Sequence, residues 1–159
     1  MSGTKNAAPA KASEKESRKK WGDELIDAGY TILPSTIVMR QKALGLEPIH
    51  INILMVLLAY WWKADNLPYP SKKTIAEAIG VDASTVRRRI KEMETAKFIK
   101  RIERRVENNR SQTNQYDFSG LIEAAKPYAI EEIQVKEENR IAHAKRIARK
   151  KPVLKVVTK

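Results

Sequence analysis

Three consecutive arginines, Arg87 to Arg89, follow the segment DAST, which is typical of a helix start. A guanidinium group donates two parallel hydrogen bonds, a geometry that matches O6 and N7 of guanine as well as two phosphate oxygens. The hydroxyl groups of Ser84 and Thr85, just before the arginines, can bond phosphate oxygens or base edges. Which of these contacts is open to each residue depends on how the helix is oriented.

Apolar residues in the same segment indicate that orientation. Val86, Ile90 and Met93 recur at helical spacing and predict the buried side of a helix over residues 83–96. At about 100° per residue, the middle arginine of the triplet lies opposite this buried side. The residues predicted to contact bases lie on or beside the exposed face: Ser84, Thr85, Arg87, Arg88 and Lys91.

The third arginine, Arg89, lies nearest the buried side and is predicted to reach sideways, toward a backbone phosphate or an acidic neighbour. A preceding helix is predicted over residues 71–79, and its first turn places a hydroxyl and two ammonium groups where phosphate is also favoured. The residues predicted to contact a nucleic-acid backbone are therefore Ser71, Lys72, Lys73 and Arg89.

The two predicted helices are separated only by Gly80-Val81-Asp82. A glycine can adopt the left-handed conformation that ends the first helix, and Asp82 is predicted to cap the second. Ala76 is small enough to let the helices cross closely, and Val81 is predicted to fill the corner between them. This arrangement predicts a helix-turn-helix.

A basic β-hairpin is predicted directly after the second helix. The β-favouring segments FIKRIERRV and TNQYDFSG flank the polar turn ENNRSQ. Such a hairpin would form a wing that contacts a phosphate backbone or enters a minor groove. The basic residues predicted to do so are Lys100, Arg101, Arg104, Arg105 and Arg110.

The remaining elements are predicted from local patterns. Residues 30–33 favour a short strand, and Ser35 is predicted to cap a helix that Gly45 ends. Residues 48–64 are apolar on nearly every side and predict a helix wrapped by the others. Of the adjacent Trp61 and Trp62, one is interpreted as core and the other as a lid on it, rather than as a stacking platform for single strands.

Bulk properties agree with a nucleic-acid partner. The net charge is +12, and residues 71–125 carry twelve basic and eight acidic side chains while residues 126–159 carry ten and four. Such an excess predicts attraction to polyanions. The absence of cysteine suits a cytoplasmic, nucleoid-associated protein, and the most apolar run is too short to cross a membrane.

Motifs for catalysis are missing from the sequence. His50 and His143 are isolated, so no metal site is expected, and there is no phosphate-cradling glycine-rich loop of the ATPase type. We therefore expect no enzyme activity and no cofactor.

Three regions are predicted: a disordered arm over residues 1–20, a DNA-binding domain over 21–126, and a charged helix with a basic tail over 127–159, interrupted at Pro127. The last region is predicted to add phosphate contacts on DNA, while a homodimer contact through a weak apolar stripe, a solitary charged tail, and membrane or groove binding remain alternatives. The stripe comprises Ile130, Ile133, Ile141, Ala144 and Ala148.

Three segments carry a resemblance to a known group: GYTILPSTIV, YWWKADNLPYPSKKTIAEAIGVDASTVRRRIKEMETAKFIKR and TNQYDFSGLIEAAKPYA. Together they resemble winged helix-turn-helix domains found in phage- and plasmid-type replication initiators and mobile-element regulators. The resemblance implies binding of double-stranded DNA through the second helix and the wing.

The sequence thus predicts a mainly α fold with a small β-hairpin wing, a winged helix-turn-helix. The predicted function is sequence-specific binding of duplex DNA by a bacterial or phage transcriptional regulator, with homodimerisation and without membrane association. One alternative is an origin-binding replication initiator or plasmid-maintenance protein. Another is a winged-helix adaptor that binds proteins.

Overall fold

The apolar periodicity of the chain produces nine elements in a computed structural model, which describes residues 9–104 and 112–149. The fold is mainly helical with one two-stranded hairpin, as the sequence predicts. The elements in chain order are α1 (Pro9–Trp21), α2 (Asp23–Ala28), α3 (Ser35–Met39), α4 (Pro48–Ala59), α5 (Lys72–Ile79), α6 (Ala83–Thr95), β1 (Lys100–Ile102), β2 (Gln115–Asp117) and α7 (Ser119–Ile147).

The core forms where α4, α5 and α6 bring their apolar sides together. The predicted inward residues of α6 are buried, each with at most 1% of its surface exposed, alongside residues of α4 and α5. Burying each such side chain stabilises the fold by roughly 1.5–3 kcal/mol. The residues at the centre of this core are Ile53, Leu54, Leu57, Ile75, Val86, Ile90 and Met93.

The hairpin is confirmed, with strands shorter than the sequence predicts. β1 and β2 are antiparallel, and Arg101 lies opposite Tyr116. The backbone N–H of Tyr116 also donates to the carbonyl oxygen of Pro68 at 3.0 Å, which attaches the hairpin to the segment before α5. Tyr116 and Phe118, two positions apart, are buried and hold the hairpin on the core.

Two predictions for residues 30–46 are wrong. Residues 30–33 form no strand, since no neighbouring described segment pairs with their backbone. The following helix ends at Met39, and Pro34, not Ser35, occupies its cap position. The chain then continues to Leu46 through hydrogen-bonded turns, which include a bond from the Leu46 N–H to the Gln41 carbonyl at 2.7 Å.

The apolar helix also ends earlier than predicted, and it is not wrapped on all sides. α4 stops at Ala59, and Met55 is exposed on its outer face. Trp61 is half-buried and packs on Phe118 with ring centroids 5.3 Å apart, whereas Trp62 is exposed. Trp61 thus packs against the core, whereas the role of Trp62 as its cover stays a prediction.

A helix occupies most of the arm predicted to be disordered. α1 is rich in Ala, Lys and Glu, which are strong helix formers. Arg18 binds Glu14 at 3.1 Å on the same helix and Asp27 at 2.8 Å on α2, so the two helices are connected by charge. Composition alone indicated disorder because this segment buries little apolar surface. Residues 1–8 lie outside the described part of the chain.

The last helix continues through Pro127, where the sequence predicted an interruption. Proline removes one backbone hydrogen bond, but Leu121 and Ala125 are buried before it and Glu132 is held after it. These contacts on both sides keep the segment helical. From Ile133 to Arg149 every residue is exposed, so this half of α7 projects from the body.

Candidate nucleic-acid interface

The turn between α5 and α6 has the predicted geometry. Ser71 caps α5, its Oγ accepting from the Thr74 N–H at 3.0 Å. Gly80 ends α5 in the left-handed conformation (φ 72°, ψ 38°), and the N–H groups of Gly80 and Val81 both donate to the carbonyl of Ala76. Val81 packs against the core, as predicted for the corner residue.

At the start of α6, Asp82 stands in the cap position but forms no side-chain capping bond. At its end, Lys97 has a φ of 61°, and the N–H groups of Lys97 and Phe98 donate back to Glu94 and Met93. This left-handed residue closes the helix in a Schellman arrangement. Lys97 is exposed and is not part of the buried side of α6.

Two arginines of the triplet face outward. Arg87 and Arg88 are exposed, and neither forms an ion pair with any residue in the described ranges. Ser84 and Lys91 are also exposed, and Thr85 is half-buried. The five residues predicted to contact bases thus lie on one side of α6, opposite or beside its buried face.

Arg89 is different, because it is bound within the protein. Its Nη2 lies 3.0 Å from Oε2 of Glu47, and its Nη1 lies 2.9 Å from Oε2 of Glu92. Glu92 also accepts a hydrogen bond from Nε2 of the buried His50 at 3.0 Å. Of the two roles predicted for Arg89, the structure thus shows contact with acidic neighbours.

The proton positions in this network follow from its geometry. Nδ1 of His50 accepts from the backbone N–H of Glu47 at 3.0 Å, so in the neutral ring Nε2 carries the hydrogen that Glu92 accepts. The hydrogen bonds from Arg89 and His50 lower the pKa of Glu92 below its ordinary value. The network joins α6 to the start of α4 and holds the outward face of α6 in place.

Cations from three elements meet beside this face. Burial lowers the pKa of Lys72, and the positive charges of Arg101 and Arg87 lower it further. Lys72 begins α5, Arg87 lies on α6 and Arg101 on β1, and the carboxylate of Glu94 partly offsets their effect on Lys72. A site where positive charges repel one another is stabilised by a bound anion.

The wing residues have distinct surroundings. Lys100 is exposed, and Arg101 forms an ion pair with Glu94 at 3.2 Å. The Arg104 guanidinium lies over the ring of Tyr69, 4.6 Å from its centroid. Lys73 is exposed and 3.8 Å from Glu77, a weak surface pair. Arg105 and Arg110, predicted at the tip, lie outside the described residues.

A shallow polar cleft joins the start of α5 to the base of the wing. It includes Ser71, Lys72, Gln112 and Asn114, with Tyr116 at its floor. Local sequence patterns do not indicate Gln112, Asn114 or the ring partner of Arg104, because their roles depend on the folding of the wing onto α5. The only local indication was the position of Tyr69 two residues before the helix cap.

No group of three or more acidic or histidine side chains in residues 9–104 and 112–149 is arranged to hold a metal ion. No helix in that part of the chain is long and apolar enough to cross a bilayer.

Comparison with known proteins agrees with this geometry. Residues 44–99, from before α4 to just after α6, match the family model of a helix-turn-helix domain. No curated protein sequence matches the chain.

Solved structures with a similar fold include the following two. One is the N-terminal domain of the DnaD protein from Geobacillus kaustophilus HTA426, with a TM-score of 0.50, 16% sequence identity, and coverage of 83% of this chain and 99% of that one. The other, described as a possible transcriptional regulator from Methanosarcina mazei Go1, has a TM-score of 0.41 and 14% identity over 65% of this chain and 82% of its own. The hairpin after α6 and the family match together give the fold, a winged helix-turn-helix.

Proposed function

We propose that this chain binds duplex DNA in a sequence-specific manner and acts as a transcriptional regulator. The observation that carries the proposal is that Arg87 and Arg88 are exposed on the outward face of α6, without ion partners in the described ranges. The second helix of a helix-turn-helix enters the major groove, where arginine recognises guanine.

Base recognition in this proposal belongs to the outward face of α6. Arg88 points most directly away from the core, and Arg87 lies beside it. Short hydroxyl side chains at the start of the helix reach phosphates or base edges. The proposed base contacts are Ser84, Thr85, Arg87, Arg88 and Lys91.

Backbone contacts are proposed on both sides of α6. Arg101 and Arg87 lie close enough to Lys72 to add to the burial that lowers its pKa, and this concentration of positive charge supports a phosphate contact here. The proposed backbone residues also include Ser71, Lys73, Lys100 and Arg104, with Arg105 and Arg110 retained from the sequence. We assign Arg89 to bracing α6, since its two carboxylate partners already occupy it.

The base contact is tested by replacing Arg88. A preferred site is first selected from random duplexes, and binding to it and to an unrelated duplex is then measured. Arg88→Ala should weaken binding to the selected site by about 1–3 kcal/mol and leave binding to the unrelated duplex nearly unchanged. Arg88→Lys is the matched control, since it keeps the charge and loses the bidentate geometry.

If Arg88→Lys binds the selected site as well as the unchanged protein does, Arg88 contributes only charge and the base-contact assignment is wrong. Equal weakening on both duplexes in Arg88→Ala would lead to the same conclusion.

The regulatory role is tested by footprinting across the genome. Bound sites that overlap promoters support a regulator, and inverted half-sites about 10–10.5 base pairs apart support the homodimer that is part of this proposal. Clustered repeated sites at a replication origin would instead assign the initiator role. If the protein is not retained on DNA beyond nonspecific levels, the remaining role is that of an adaptor that binds proteins.

A further inference from the structure

The outer part of α7 carries a seam, apolar toward its ends and charged at its centre, that the described body of the protein does not cover. The helix contacts the body through Leu121, Ala125 and Glu132, and the last of these binds Thr36 and Arg40 at 3.1 Å each. Beyond that point all side chains are exposed as far as Arg149. Nothing in the described ranges therefore packs on the outer part of this helix.

The seam is defined by its spacing. Its residues follow one another at intervals of three, four, three, four and three, which is the a/d pattern of a coiled coil. They lie roughly 120° around the helix from the face on the body. The seam consists of Ile130, Ile133, Glu137, Arg140, Ala144 and Ile147.

The three isoleucines of the seam are conspicuously exposed. Ile130, Ile133 and Ile147 have 54%, 65% and 72% of their surfaces accessible. Glu137 and Arg140, at the middle of the seam, are also exposed and bind each other within the helix at 2.6 Å. A pairing partner must therefore offer apolar residues at both ends and complementary charges at the centre.

A second copy of the same helix meets this requirement when it runs in the opposite direction. Ile130 then lies opposite Ile147 of the second copy, Ile133 opposite Ala144, and Glu137 opposite Arg140, with each pair repeated by symmetry. Every layer combines an a position with a d position. In a parallel pair, Glu137 would face Glu137 and Arg140 would face Arg140, an arrangement disfavoured by like-charge repulsion.

We infer that this protein forms a homodimer through an antiparallel pairing of the α7 seams, centred between Glu137 and Arg140. The interface gives the homodimer of the proposed function a defined surface and register. The paired stretch is 18 residues, or about 27 Å long. An interface of this length is shorter than most permanent ones, so the dimer should dissociate on dilution.

Charge reversal tests the central layer, and the measurement is sedimentation of the full chain without DNA. Glu137→Arg and Arg140→Glu should each raise the dissociation constant at least about tenfold, because both central pairs become repulsive. Combining the two changes restores complementarity and should return the constant to near its original value. Glu138→Arg, which makes the same charge change off the seam, is the control and should have little effect.

Circular dichroism separates loss of pairing from loss of fold. Glu137 and Arg140 contact no residue of the body that the structure describes, so the melting of the monomeric variants should match that of the control. A chain that stays monomeric at all concentrations overturns the inference, as does a double variant that dimerises no better than the single ones. Since DNA is absent, neither result depends on whether the chain binds it.

Cross-linking tests the direction of pairing. The chain has no cysteine, so Ile133→Cys and Ala144→Cys each introduce a single thiol. In the antiparallel register, position 133 of one copy faces position 144 of the other, so the two thiols meet only when the two variants pair with each other. Two copies of the same variant carry their thiols about 16 Å apart along the helix axis, which is too far for a disulfide. Mixing the variants, one of them with a larger tag, should give mixed disulfide dimers under oxidation. Efficient self-cross-linking of either variant alone would indicate a parallel pair and overturn the inference.

Discussion

Arg88 and Arg89 are neighbours in the chain, yet their surroundings assign them to different tasks. Arg88 is exposed without an ion partner in the described ranges, whereas Arg89 lies between the carboxylates of Glu47 and Glu92. The 100° step of a helix is enough to produce this division, since it turns one side chain away from the core and the next along it. In this triplet, Arg87 and Arg88 therefore face outward, whereas Arg89 binds acidic residues of the protein itself.

Gly120 lies where two backbone segments approach closely, so that there is no room for a side chain. A Cβ at this position would lie 1.8 Å from the carbonyl oxygen of Lys97. We expect Gly120→Ala to lower the free energy of unfolding by about 3 kcal/mol, because neither backbone can yield easily. Urea unfolding followed by circular dichroism measures this change.

Gly80→Ala provides the comparison. Its Cβ would meet open space, so only the left-handed backbone opposes it, at a cost of about 1 kcal/mol. If the two variants lose equal stability, the close approach at Gly120 has no energetic consequence and the prediction is wrong.

At this scale the sequence predicts local features and misses distant ones. Ser71, Gly80 and the inward face of α6 were predicted correctly because caps, left-handed turns and helical periodicity involve residues a few positions apart. Of the two partners of Arg89, Glu92 is three positions away, but Glu47 was not identified, since it lies 42 positions away and any of many acidic residues could have met the arginine. The Gly120 contact was missed for the same reason, as it requires the folded position of Lys97.

Among the elements, α6 depends on the network of Arg89, Glu92 and His50. Because these partners lower the pKa of Glu92, its ionised form stabilises the folded state above the unfolded pKa, near 4.3, and this contribution is lost as pH falls through the lowered folded pKa. Glu92→Gln should therefore lower the melting temperature at pH 7, and the difference from the unchanged protein should disappear in acid. Thermal melts from pH 7 down to pH 2 measure it.

An exposed carboxylate supplies the control for that titration. Glu77 pairs only distantly with Lys73 on the surface, so Glu77→Gln should change the melting temperature little at any pH. A constant difference between Glu92→Gln and the unchanged protein at every pH would show that charge is not how Glu92 supports α6.

The positive charges of the wing lead to a separate prediction about the salt dependence of DNA binding. Each phosphate contact contributes about 0.9 to the slope of log K against log salt for duplex DNA. Replacing both Lys100 and Arg104 by alanine should reduce that slope by roughly 2 and weaken all sequences alike. The control is Lys19→Ala, which removes a charge from α1 and should leave the slope unchanged. If the double variant also leaves the slope unchanged, the wing does not contact DNA.

Element boundaries were less predictable than element types. Residues 30–33 favour β structure locally, but a strand also needs a partner, and none of the described segments pairs there. α1 was missed because its composition buries little, although Ala, Lys and Glu propagate helices well and Arg18 connects it to α2. A proline usually ends a helix, but α7 continues through Pro127 because contacts on both sides of it hold the segment helical.

For the whole molecule, α7 is held in the core by Leu121 and Ala125 and, further along, by an attachment of Glu132 to Thr36 of α3 and to the adjacent Arg40. Glu132 accepts hydrogen bonds from Thr36 and Arg40, which lower its pKa, and Arg40 also lies over the ring of Tyr128 at 6.0 Å. The proposed DNA-contacting face and the proposed dimer seam are on different parts of the chain. Their relative orientation therefore depends on this attachment, whose residues are 92 and 96 positions apart in sequence.

Arg40→Gln tests the attachment directly. Without the guanidinium, Glu132 loses its ion pair and Tyr128 its cation, so the amides of α7 near Glu132 should exchange hydrogen faster while those of α4 and α6 keep their protection. Lys42→Gln, a charge loss two residues away without these contacts, is the control and should alter neither. Faster exchange spread evenly over α4, α6 and α7 would mean that Arg40 supports the core as a whole. Faster exchange confined to α7 would show that Arg40 holds this helix on the body. It would also show that Arg40 helps to fix the orientation of the proposed dimer seam relative to the proposed DNA contacts.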